Sequence, residues 1–185
     1  MRRSRSLTTI KILDAAYGLM WRQGFLRVSM DEIAERAGVT KRTLYQHFPS
    51  KDDLLSATLA HSSELALARL RDFPVSTTAN DFIDKFFSQL ASWAATPRWS
   101  GGGFTRVVVE LADLRGHPAR SVARKHKAAV EQWLAGTLSS IEVPSPAARA
   151  REIMLLMEGA MALMLIHGNR DYASAAAKAA KALVV

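Results

Sequence analysis

Lys41, Arg42 and Thr43 stand in succession at the front of a short helical stretch, and Tyr45, His47 and Lys51 follow close behind. Lys and Arg are long donors that reach the O6 and N7 acceptors of guanine, and Thr offers a hydroxyl or a methyl to a base edge. Tyr45, His47 and Lys51 are side chains suited to phosphate oxygens. Thr40 precedes this group as the helix cap. Upstream, Ser29 and Met30 open another short helix whose first backbone N–H groups suit a phosphate. The chemistry that these types and spacings describe is recognition of double-stranded DNA by a short helix in the major groove.

A competing reading, that of an enzyme, finds little to build on. The chain has no cysteine, so no thiol nucleophile and no zinc knuckle. No metal-ligand cluster and no G-x-S-x-G elbow is present, and Ser100 to Gly103 lacks the Lys-Ser/Thr that makes a glycine loop a phosphate cradle. His117, His126 and His167 are isolated and read as caps or surface groups. Arg106 and Glu110 have the spacing of a surface ion pair along one helix. No cofactor and no metal is expected.

Charge is distributed unevenly along the 185 residues. Of the net +8, six positive charges fall in residues 1–51, where ten Lys and Arg face four Asp and Glu. A basic front end is where a polyanion binds. The hydrophobic fraction of 49% and a mean hydropathy near zero fit a well-filled soluble core. The basic start lacks an apolar run of signal-peptide type, and the most apolar stretch, Ile153 to Ile166, is short for a bilayer and contains Glu158. A cytoplasmic protein that enters no membrane is expected.

Helices must position these residues, since apolar positions recur at three and four residues almost everywhere. A first helix is expected from about Leu7 to Gln23, closed at Gly24, with Arg2, Arg3 and Arg5 ahead of it as a basic arm. A short helix runs from Ser29 to Gly38 and a second from Lys41 to Phe48. Pro49 ends the latter, and Ser50 with Asp53 forms a capping box for a long helix toward Arg71. Further helices are expected around Phe82 to Trp93, Phe104 to Leu114 and Pro118 to Leu138, with Pro118 and Pro146 at first helical positions. Val107 to Val109 alone suits a strand, but the pattern around it favours helix. The fold class is all-α, with a helix-turn-helix domain in residues 1–50 and a larger helical domain in residues 51–185.

The run "ILDAAYGLMWRQGF" and then "VSMDEIAERAGVTKRTLYQHFPSKDDLL" strongly resembles the DNA-binding domain of the TetR family of bacterial transcription regulators. The resemblance implies DNA contact for Thr40, Lys41, Arg42, Thr43, Tyr45, His47 and Lys51, with Leu44 and Phe48 packing inward. Arg42 stands where many relatives have glycine, so no operator sequence carries over. For the remainder the resemblance implies a helical domain that binds a small effector and dimerises through its last two helices, here Ser145 to His167 and Asp171 to Leu183. A homodimeric repressor on a palindromic operator, released by an effector, is the implied function. A DNA-binding architectural protein without effector response is the alternative.

The residues themselves leave two points open in the back half. "EIMLLMEGAMALMLIHG" is apolar around most of its circumference, which suits either a buried core helix or a helix shared between core and partner. Phe86, Trp93, Phe104, Trp133 and Met157 suit an effector cavity, and each also suits ordinary core packing. Met161 lies in the middle of the apolar stretch, facing core or partner.

Overall fold

The computed structural model describes residues 2–97 and 99–184, with side chains from Leu7 onward. Within these there are nine helices and no strand: α1 (Arg2–Gln23), α2 (Met30–Ala37), α3 (Lys41–His47), α4 (Lys51–Arg71), α5 (Ala79–Ala94), α6 (Gly103–Glu110), α7 (Pro118–Ser140), α8 (Pro146–His167) and α9 (Asp171–Leu183). The all-α expectation holds. Among the described residues no helix is long and apolar enough to cross a membrane. The backbone is helical from Arg2, so Arg2, Arg3 and Arg5 belong to the first turns of α1 rather than to an arm ahead of it. Their side chains lie outside the described residues.

The caps explain why so short a chain holds so many helices. Ser29 and Glu32 form a reciprocal capping box on α2, and the Thr40 hydroxyl accepts from the Thr43 N–H at 3.1 Å on α3. Ser50 does the same for Asp53 at 3.0 Å. Pro146 occupies the first turn of α8, but Ser145 lies at φ +53° and its hydroxyl makes no cap bond. The His117 ring replaces a conventional cap on α7, its Nδ1 accepting from the Ala119 N–H. The ring proton is therefore on Nε2, which reaches Asp52 at 3.2 Å.

The chain divides into two compact units, Met1–Ala66 with Gly103–His126 and Leu67–Gly102 with Lys127–Val185. This division differs from one at residue 50. The reason is burial: Leu54, Leu55 and Leu59 of α4 are sealed in one core with Ile12, Met20, Ile33 and Leu44, together with Val107 and Leu111. The second unit packs α9 against α5 and α8 around Phe82, Phe87, Leu134, Leu138 and Ile153.

Gly103 opens α6 hard against the Trp21 indole. A Cβ there would lie 1.6 Å from the indole Cζ2. Trp21 has little room to yield, because it stacks on Tyr17 at 4.2 Å and meets Phe25 edge-on at 5.0 Å. Gly103→Ala is therefore expected to cost about 1 to 3 kcal/mol through overpacking. The urea midpoint followed by circular dichroism checks this, and an unchanged midpoint would show that the indole moves aside freely.

Candidate nucleic-acid interface

α2 and α3 are joined by the turn that Ala37, Gly38 and Val39 make. Gly38 lies in the left-handed region at φ +65°, a conformation that strains any side chain with a Cβ. The Val39 N–H then closes on the Ala34 carbonyl at 3.0 Å, completing a Schellman closure. Ile33, Ala34, Leu44 and Phe48 are buried beneath, as the inward assignment of Leu44 and Phe48 requires. What remains outside is one face of α3. Arg42, Tyr45 and Gln46 are exposed on it at i, i+3 and i+4.

The expected contact residues divide by what they already hold. Arg42 and Tyr45 are exposed, and Arg42 has no hydrogen bond or ion pair among the described residues. Lys41 is exposed but paired with Asp31 of α2 at 2.8 Å. The hydrogen bond and charge of Asp31 raise the Lys41 pKa above its ordinary value. Thr40 and Thr43 bond hydroxyl to hydroxyl at 2.8 Å. His47 turns its Nδ1 to the Thr9 hydroxyl at 2.9 Å, tying α3 to α1.

Two expected phosphate ligands are engaged inside the protein. The Lys51 ammonium donates to the Leu26 carbonyl, and burial holds its pKa below the ordinary lysine value. The Ser29 N–H donates to the Glu32 carboxylate at 2.7 Å, and that hydrogen bond is the first cause of the lowered Glu32 pKa. Met30 buries its side chain at the start of α2. Gln46 was not among the residues singled out from sequence. The signal available was its position four residues after Arg42, and a Gln amide can pair with adenine N6 and N7.

Four of the five expected effector residues lie in the second unit. Phe86 and Trp133 pack in an aromatic cluster with Phe73 and Phe82 at centroid distances from 5.5 to 6.4 Å. Met157 is buried in the same core. Trp93 is exposed and meets Trp99 edge-on at 5.8 Å. Phe104 belongs to the other unit, stacked on His126 at 3.7 Å. A separate cleft of about 390 Å³ is lined by Ala94, Ala95, Trp99, Met164, Leu165 and Arg170 among others. The Trp99 indole N–H is buried without a hydrogen-bond partner among the described residues.

α8 carries two apolar faces. Ile153, Met154, Met157, Ala160, Met161 and Met164 point into their own unit. Leu155, Leu163 and Ile166 are exposed, with exposed Gly159 and Ala162 between them. On α9 the exposed positions include Ala175, Ala179 and Ala182. Among the described residues no group of His, Cys, Asp or Glu is arranged to hold a metal ion.

Residues 12–58 match the family of bacterial regulatory proteins named tetR. The transcriptional regulator EthR of Mycobacterium tuberculosis is 26% identical over 172 residues, which span 89% of this chain and 74% of EthR. A TetR-type regulator from Streptomyces avermitilis has a crystal structure that superimposes with a TM-score of 0.78 at 28% identity, over 94% of this chain and 98% of that one. Reduced NemR of Escherichia coli shares the fold, with a TM-score of 0.87 at 21% identity over 96% of this chain and 98% of NemR. EthR and the Streptomyces avermitilis protein are both named as transcriptional regulators.

Proposed function

We propose, from the premise that this chain is a DNA-binding transcription regulator of the TetR family, that it binds a palindromic operator as a homodimer and represses transcription until a small-molecule effector releases it. The observation that carries the reading is the exposed face of α3, where Arg42, Tyr45 and Gln46 stand clear of the core that Leu44 anchors. One such helix reads few base pairs, and two-fold symmetry doubles the site. The partner is a second copy, seated on the exposed faces of α8 and α9. Such a role belongs in the cytoplasm, beside the chromosome.

Selection of duplexes from a random pool by the purified protein tests this directly. An inverted repeat should emerge, with affinity falling steeply as salt rises. Recovery of sequences without symmetry would overturn the dimeric reading. A reporter whose promoter overlaps the selected site then decides repression: expression should rise when the regulator is deleted.

Arg42→Ala should cost about 1 to 3 kcal/mol on the selected operator, concentrated at particular base pairs. Binding to random duplex should weaken far less. Equal loss on both would make Arg42 a phosphate contact and remove it as a base reader.

For the effector, the mixed lining of the cleft beside Trp99, where Met164 and Leu165 stand with Arg170, and the unpaired Trp99 indole N–H support a partly apolar compound that carries a hydrogen-bond acceptor. The close packing of Phe73, Phe82, Phe86 and Trp133 favours the second reading, a filled domain without effector response. Tryptophan fluorescence screening, followed by operator affinity with each binder present, separates the two. A binder that leaves operator affinity unchanged supports the second.

A further inference from the structure

Glu110, at the end of α6, reaches a turn 85 residues earlier in the chain. Its Oε2 accepts from the Phe25 N–H at 2.8 Å and from the Leu26 N–H at 3.3 Å. Its Oε1 accepts from the Arg106 Nε at 2.8 Å, and the same guanidinium donates through Nη1 to the Trp21 carbonyl at 3.0 Å. From another side, Lys51 of α4 donates to the Leu26 carbonyl. Gly24 sits between these groups at φ +103°, where a Cβ would approach the guanidinium to 3.3 Å.

The turn so held is the one from which the reading head departs. The Trp21 carbonyl lies in the last turn of α1, where no helical N–H is available to it. The Phe25 and Leu26 N–H groups fall between α1 and α2 and have no helical acceptor either. Arg106 and Glu110 therefore supply partners for three backbone groups on either side of Gly24. Charge-assisted bonds of this kind are shorter and stronger than neutral ones. The i, i+4 pair, which from spacing alone reads as a surface bridge, is half-buried and directed across the fold.

We infer that Glu110, oriented by Arg106, is a positioning residue for DNA binding: it fixes the α1–α2 turn and with it the angle at which α2 and α3 leave α1. This rests on the DNA-binding reading above. The apolar contacts of Ile12, Ala16, Met20, Ile33 and Leu44 do not involve the carboxylate, so its loss leaves the reading head folded and frees its departure angle. Electrostatics alone makes the opposite forecast. Removing a negative charge near a polyanion site raises affinity for DNA.

The test uses the full chain and its selected operator, with Glu110→Ala and the near-isosteric Glu110→Gln. Amide hydrogen exchange at Phe25 and Leu26 should accelerate in both, more in the alanine variant. Operator affinity should fall about tenfold in Glu110→Ala, as expected if the freed turn holds the binding orientation about a tenth of the time. Glu110→Gln keeps one acceptor and should lie between it and the parent. Random-duplex affinity should hold or rise. If Glu110→Ala fails to fold, Glu110→Gln carries the same test. Operator binding at parental strength or tighter in a folded variant would overturn the inference while leaving the DNA-binding reading intact. A parent chain with no operator preference would overturn that reading and this inference with it.

Discussion

Ile166→Glu is expected to convert a dimer into folded monomers and to abolish operator binding at concentrations where the parent saturates it. Ile166 is 70% exposed on α8, so its replacement removes no contact from the core of its own unit. In a two-fold interface each substitution appears twice. Two carboxylates brought from water into an apolar contact cost several kcal/mol unless they find partners. The dimer dissociation constant should therefore rise by at least a hundredfold. Operator affinity follows, because a monomer holds one reading head and half of the contacts. Leu155→Glu, three turns away on the same exposed stripe, should act in the same direction. Sedimentation with thermal melting checks both: a smaller particle with a near-parental melting temperature is the expected pair of results. A variant that remains dimeric would place the partner face somewhere other than α8.

The reading head was legible in sequence because its constraints are local. A cap hydroxyl, a helix-ending glycine and an apolar residue every three or four positions act within ten residues of one another, so Thr40 and Gly38 are assigned by spacing, and the family resemblance adds the inward packing of Leu44 and Phe48. What spacing does not reveal is occupancy. Lys51 has the type and place of a phosphate ligand, yet its ammonium is held by a carbonyl 25 residues upstream. Arg106 and Glu110 satisfy the rule for a local ion pair, and that rule is silent about the turn they clamp 85 residues away. Phe104 packs in the core of the first unit for a similar reason. Composition groups aromatic residues by type, whereas the chain returns Phe104 to the core of the first unit beside Trp21 and His126. Long-range register of this sort depends on how helices close on one another, which periodicity within a single helix does not encode.

α8 shows the same limit and supplies its own test. Periodicity marked the helix as apolar nearly all round and left Met161 to face either core or partner. The structure places it in the core at 5% exposure, close to Gly102. Met161→Glu is therefore expected to destabilise the second unit itself by about 3 to 5 kcal/mol at neutral pH, the cost of an unpaired buried carboxylate. That differs in kind from Ile166→Glu, only five residues further on. The introduced carboxyl should titrate well above the ordinary glutamate value of about 4.3, because burial disfavours its charged form. The folded state then binds more protons than the unfolded state across that interval, so the variant loses stability as pH rises through it. Relative to the parent, the deficit should be smallest below the unfolded value and reach its full size above the raised folded value. Met161→Gln carries the polar cost without the charge and should show a deficit that does not change over this range. Urea unfolding of the parent and both variants between pH 4 and pH 8 measures the difference. A Met161→Glu deficit independent of pH, or a stable monomer at neutral pH, would mean that this side chain reaches water and that the core face of α8 has been assigned to the wrong residues.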